Sequence, residues 1–205
     1  MTNAIKTLTN VITEKSRNKK RFFVAIAGAP AAGKTTLCDS LAKTLAQQTS
    51  VAVVPMDGFH YDNAILKELN YTDRKGAPHT FDAEGLQRLL QGLHQQTVPM
   101  TTPVFDRAQD LSRSSARLIQ PDDQIILVEG NYLLCDTTPW NSFHRLFDFT
   151  VMLNVEMKTI EERLVRRWLD HGHNQEQAQQ RAAGNDLPNA EYVLAHSVKA
   201  DYDFF

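Results

Sequence analysis

Apolar residues fall along this chain in short continuous runs, separated by longer stretches of helical periodicity. Four runs, Phe22–Ala27, Val51–Met56, Ile125–Glu129 and Phe149–Leu153, lack the alternation of a half-exposed strand. Continuous apolar character is how a strand covered on both faces reads, and such strands belong to parallel sheets. Between them the spacing predicts helices over Lys34–Gln48, Asp82–His94 and Glu156–His171, the second opening on Asp82 as N-cap. Strand and helix in alternation imply an α/β fold, an open, doubly wound and mainly parallel sheet. Asn3–Lys15 is patterned as an amphipathic helix, and Ala195–Tyr202 as a last strand. The stretch Val98–Ile119 breaks the alternation. It carries Pro99 and Pro103 and two short β-prone runs, Thr101–Phe105 and Ala116–Ile119, about a polar middle, which predicts a small β-hairpin flap.

Size and charge narrow the class without naming a function. The 205 residues predict one domain, 1–205, with an N-terminal helix in 1–20, a flap at 98–120 and a helical lid region at 156–185. Twenty-two Lys and Arg against 24 Asp and Glu argue against a dedicated nucleic-acid or anionic-membrane surface. The basic cluster Arg17–Arg21 reads accordingly as a solvated turn before a strand. Two cysteines, Cys38 and Cys135, make no disulfide framework and suit a reducing, cytoplasmic setting. Neither a membrane-length apolar run nor a signal-peptide core is present in the sequence. The expected partner is a small molecule, with a homodimer left open.

The sharpest chemical signal is Gly28-Ala29-Pro30-Ala31-Ala32-Gly33-Lys34-Thr35, which fits G-x-x-x-x-G-K-[ST] without mismatch, followed by Thr36. Its context is right: an apolar strand enters and a helix leaves. Gly28 and Gly33 let the backbone wrap so that successive N–H groups and the helix N-terminus point at phosphate oxygens. Lys34 then reaches the β- and γ-phosphates of ATP, and the Thr35 hydroxyl ligates Mg²⁺. A guanine-reading Asn/Thr-Lys-x-Asp run is missing, which excludes a GTPase of the usual kind. The apolar run at 125–128 ends in Glu129-Gly130, a single carboxylate, and not in the Asp-Glu pair of mechanical ATPases. Glu129 is the second candidate for the metal region.

Asp57 follows the run Val51–Met56, where the strand ends of an α/β sheet line the ligand crevice. A carboxylate there takes the proton of an acceptor hydroxyl, holds Mg²⁺ through water, or caps the next helix. Arg163, Arg166 and Arg167 are spaced to share a helix face. They read either as a lid closing over the γ-phosphate or as a surface helix paired with Glu161, Glu162 and Asp170. Asn185-Asp186-Leu187-Pro188-Asn189 reads equally as a nucleotide contact or a helix cap. His171-Gly172-His173, with no third ligand, reads as a solvated loop and not a metal pair.

Taken together these residues resemble the phosphoribulokinase/uridine kinase superfamily of P-loop kinases, from Phe22 to about Asp201. Asp57-Gly58-Phe59, Lys75-Gly76-Ala77-Pro78-His79-Thr80-Phe81-Asp82 and Pro103-Val104-Phe105-Asp106 are similar to the acceptor-side motifs of type I pantothenate kinases. Val128-Glu129-Gly130-Asn131-Tyr132-Leu133-Leu134 and Arg163-Leu164-Val165-Arg166-Arg167 resemble the family's second carboxylate region and lid. The match is nearest to the short bacterial branch called fructose-transport-system or nucleoside/nucleotide kinase-like. The resemblance implies ATP, Mg²⁺, Asp57 as base and an arginine lid. It places Phe59, His60, Lys75, His79, Phe105 and Arg107 about the acceptor. Gly76 stands where uridine kinases carry a ribose-holding Asp, and Arg107 where pantothenate kinases carry a His. A sugar-type hydroxyl therefore leads, ahead of pantothenate-like and nucleoside acceptors. A regulatory ATPase lacking acceptor chemistry is the alternative from another class.

Overall fold

The computed structural model describes residues 2–205. Five parallel strands, β1 (Phe22–Gly28), β2 (Val51–Pro55), β5 (Ile125–Gly130), β6 (Phe149–Leu153) and β7 (Tyr202–Phe204), form one sheet in the order β2-β5-β1-β6-β7. β1, β5 and β6 are buried at every position, which is why their sequences do not alternate.

Alternate side chains nevertheless go to different cores. Phe22, Val24 and Ile26 pack under α1 (Thr2–Ser16) and α2 (Lys34–Leu45), with Leu8, Ile12, Leu37 and Leu41. Phe23, Ala25 and Ala27 face α4 (Ala83–His94), with Leu86, Leu90 and Leu93, and the aromatic pair Trp140 and Phe143. The result is a three-layer α/β/α sandwich. Asp82 caps α4 as predicted, its Oδ1 accepting from the Gly85 amide at 2.7 Å.

The flap is a separate antiparallel hairpin of β3 (Met100–Asp106) and β4 (Leu111–Ile119), whose register shifts between Thr102 and Val104 around Pro103. It lies against the turn Met56–Phe59. Gly58 makes that approach feasible, because a Cβ there would collide with the Pro103 carbonyl. Beyond β6 come α5 (Met157–Asp170), α6 (Gln175–Arg181), a π-helical turn (Ala182–Asp186) and α7 (Leu187–His196).

Two sequence expectations need correction, and one element went unread. Residues 195–202 are not a strand: Ala195 and His196 close α7, and β7 starts only at Tyr202. The apolar positions Ala190 and Val193 just before that stretch are buried on one face of the same helix. A short helix, α3 (Asn63–Glu68), buries a single residue, Leu66, and so left no periodic trace. Arg21 is not merely solvated. Its guanidinium donates to the carbonyls of Leu93, Gln120 and Asp123 and to Gln96 Oε1 at 2.6–3.0 Å, tying the start of β1 to the α4–β3 and β4–β5 connections.

Candidate active site

β1 runs straight into the phosphate-type loop. Gly33, with φ of 102°, turns the chain into α2, and Ala31 also takes positive φ (59°). No side chain caps α2, so its first turn, with Lys34, Thr35 and Thr36, faces the loop with unpaired amides. Lys34 is buried and donates from Nζ to the Ala29 carbonyl at 2.9 Å, holding the ammonium inside the loop between Gly28 and Gly33. Burial lowers its pKa, while Glu129 and Asp57 pull it back up.

The sheet order brings the carboxylates to this loop. β5 lies between β1 and β2, with Glu129 beside Ile26 on one side and Pro55 on the other. The Thr35 hydroxyl donates to Glu129 Oε1 at 3.3 Å. Burial, then the nearby Asp57, push the Glu129 carboxyl up to about 7, against the opposing pull of Lys34 and Thr35. The Glu129 carboxyl beside the Thr35 hydroxyl is a set of hard oxygen donors of the kind that holds a cation. It fits Mg²⁺, which takes one or two protein oxygens together with phosphate and water.

Asp57 sits just past β2 on the turn Met56–Phe59. The flap delivers Arg107 to it, Nη2 to Oδ2 at 3.2 Å. Lys75 is held by the Asn63 side chain (2.7 Å) and by Asp110 through its carboxylate (2.9 Å) and carbonyl (2.8 Å), and lies over the Phe105 ring at 5.1 Å. His60 stacks between Phe81 (4.0 Å) and Phe105 (4.6 Å), with Nδ1 2.8 Å from the Asp57 carbonyl. Burial lowers its pKa, Asp57 opposing. Phe59 packs against the core, and its carbonyl accepts from the Asp82 amide at 2.8 Å.

Two predicted site residues lie apart. His79 is edge-on to Tyr71 at 4.5 Å and lines a cleft of about 280 Å³ with Arg74, Pro139, Asn189 and Tyr192, and no contact among the described residues joins it to Asp57. Arg166 projects outward, its side chain 77 % exposed and, among the described residues, paired only with Asp170 at 3.5 Å. The other two arginines divide the remaining space. Arg163 Nη1 donates to the carbonyls of Ala31 and Ala32, both at 3.1 Å, and so lies on the phosphate loop. Arg167 donates to Asp186 at 3.0 Å. Asn63 and Asp110 are not singled out by the sequence as site residues, since nothing in their spacing links them to Lys75, and Asp186 reads there as a nucleotide contact or helix cap and not as the partner of Arg167. Tyr132, whose hydroxyl donates to the Gly76 carbonyl at 2.6 Å, was signalled only as part of the run after Glu129.

Cys38 and Cys135 are buried free thiols, and burial raises both, Cys135 to about 12. They are core residues, not nucleophiles. His171 Nδ1 donates to the Arg167 carbonyl at 2.6 Å, and His173 packs on Trp168. Among the described residues, no three or more His, Cys, Asp or Glu side chains gather as a metal site, and no helix is long and apolar enough to cross a membrane.

A lysine folded into a strand–loop–helix turn, with carboxylates at the ends of the two strands beside it, defines a P-loop phosphotransferase site. Comparison with known proteins gives the family. The family model for the phosphoribulokinase/uridine kinase family matches residues 23–202, and the chain belongs to that family. A crystal structure from Silicibacter sp. TM1040, provisionally named a fructose transport system kinase, superposes with a TM-score of 0.93 at 42% identity, covering 98% of each chain. A Schizosaccharomyces pombe protein provisionally named a uridine kinase is 32% identical over 95% of this chain and 87% of its own length. A pantothenate kinase of Mycobacteroides abscessus is 31% identical over 72% of this chain, which spans only 48% of that protein. The protein is an ATP-dependent kinase of a small molecule.

Proposed function

We propose that this kinase phosphorylates a hydroxyl of a sugar or a similar polyol, with Asp57 as general base. The observation that carries the reading is the chemistry facing Asp57. His60, whose Nδ1 lies 2.8 Å from the Asp57 carbonyl, packs at a tilt against Phe81 (4.0 Å) and Phe105 (4.6 Å), and Lys75 covers Phe105. These rings are engaged with one another and with Lys75. What borders Asp57 instead is polar: Arg107, with Lys75, Asn63 and Asp110 in the same wall. Donors and acceptors in that density suit a ligand carrying many hydroxyls.

In the reaction Asp57 takes the proton of the acceptor hydroxyl as its oxygen attacks the γ-phosphorus. The bond from that phosphorus to the β–γ bridging oxygen breaks, and ADP leaves. A positioned base of this kind is worth about 10²–10⁴-fold in rate. Arg107, 3.2 Å from Asp57, orients the carboxylate towards the acceptor side. Lys34 and the backbone N–H groups of Ala29 and Ala31–Thr36 hold the triphosphate, and Arg163 neutralises charge on the transferring group. Thr35 and Glu129 are the residues that would hold Mg²⁺, which when bound supplies charge neutralisation across the β- and γ-phosphates.

ADP release measured over a panel of hexoses, pentoses, pantothenate and nucleosides, with the phosphorylated product identified by ³¹P NMR, tests the reading. Turnover with a sugar and none with nucleosides supports it. Turnover only with a nucleoside or pantothenate overturns the acceptor assignment. A rate identical with and without every acceptor favours an ATPase.

A further inference from the structure

The turn between α6 and α7 holds five hydrogen bonds that the phosphotransfer site does not require. Ala182–Asp186 is π-helical, a rare conformation that recurs at functional sites. Its side chains do not cap α7. On one side Asp186 uses both carboxylate oxygens on α5, accepting from Arg167 Nη2 at 3.0 Å and from Trp168 Nε1 at 2.7 Å. The pair is largely shielded, with Asp186 only 13 % exposed, so it is a firmer link than a surface ion pair. On the other side Asn185 Nδ2 donates to the Lys75 carbonyl at 2.7 Å, and Arg74 donates to the Gly184 carbonyl at 3.1 Å. The buried Asn189 amide donates to Asn185 Oδ1 at 3.4 Å and fixes the orientation of that side chain.

The two ends of this bridge matter. One turn before Arg167, on the same helix, Arg163 rests on the carbonyls of the phosphate loop. Lys75, at the other end, has its side chain against Phe105 and Asp110 in the wall that faces Asp57. We propose that Asn185 and Asp186 are positioning residues that transmit the placement of the α5 arginines to the acceptor loop 74–80, so that nucleotide binding orders this loop before the acceptor arrives. The inference rests on the kinase reading. A triphosphate in the loop replaces the carbonyls as the partner of Arg163 and moves or stiffens α5. Arg167 and Trp168 carry Asp186 with them, and Asn185 carries the Lys75 backbone. Coupling of this sort is reciprocal, so an ordered acceptor loop also tightens nucleotide binding.

Amide hydrogen exchange of the whole chain, with and without the non-hydrolysable analogue AMPPNP plus Mg²⁺, tests this without knowledge of the acceptor. In the wild type the analogue slows exchange both at residues 29–36 and at 74–80. Asn185→Asp keeps the shape of the side chain and removes the donor. It retains the protection at 29–36 and loses most of that at 74–80, at least tenfold. Asp186→Asn, which keeps an acceptor for Trp168 and weakens the hold on Arg167, gives an intermediate loss. Equal protection of 74–80 in wild type and Asn185→Asp, or wild-type protection confined to 29–36, overturns the coupling while leaving the kinase reading intact. Absence of wild-type protection at 29–36 overturns the nucleotide site itself, and the coupling with it.

Discussion

Replacing Glu129 with glutamine removes the one buried carboxyl of the site that titrates near neutrality. Its folded-state pKa is pushed from an ordinary 4.5 up to about 7, first by burial and then by Asp57. A carboxyl raised in the folded state binds its proton more tightly there than in the unfolded chain. Its contribution to stability is therefore full below pH 4.5 and lost as pH rises towards 7. Each tenfold change in proton affinity is about 1.4 kcal/mol, so the difference between 4.5 and 7 amounts to about 3 kcal/mol. Urea denaturation of the free protein at intervals from pH 5 to pH 8 measures it. The wild type loses stability across that range relative to Glu129→Gln, which keeps the Thr35 contact and has no proton to release. The difference between the two should grow towards pH 7 and level off above it. Parallel profiles would refute the reasoning that burial of Glu129 is uncompensated in the free protein.

Three other substitutions probe separate parts of the account. Arg163→Ala lowers kcat on the order of 10³-fold, the scale of a transition-state arginine, whereas the outward Arg166→Ala leaves steady-state turnover nearly unchanged. Gly58→Ala drives a methyl into the backbone of Pro103 and against the Val104 amide at 3.0 Å. It should cost about 1–3 kcal/mol in urea denaturation and raise the acceptor KM by displacing the flap. Arg21→Ala strips the carbonyls of Leu93, Gln120 and Asp123 of a shared donor and should cost about 1–3 kcal/mol in the same assay, with the KM for ATP unaffected.

The strands that position the chemistry were readable because burial on both faces forces continuous apolar runs, as in Phe22–Ala27 and Ile125–Val128. The phosphate loop was readable for a different reason: close backbone wrapping needs glycine at Gly28 and Gly33, and phosphate needs Lys34 next to them. Spacing alone could not separate Arg163 and Arg167 from Arg166. Residues three and four apart both neighbour Arg163, and only the packing of Ile160 and Leu164 decides that 163 and 167 turn inward. The contacts Asn185–Lys75 and Arg167–Asp186 were out of reach, because they depend on a π-helical turn with no sequence period of its own. The flap was visible through Pro103, yet its delivery of Arg107 to Asp57 depends on three-dimensional docking over Gly58.

The central claim is that Asp57 serves an acceptor bound opposite a phosphate loop that holds ATP independently. Phosphoryl transfer by Asp57→Asn, followed as labelled product from [γ-³²P]ATP alongside binding of AMPPNP by calorimetry, tests it most directly. Transfer reduced about 10²–10⁴-fold with the analogue bound as in the wild type is the predicted result. Transfer at the wild-type rate contradicts it.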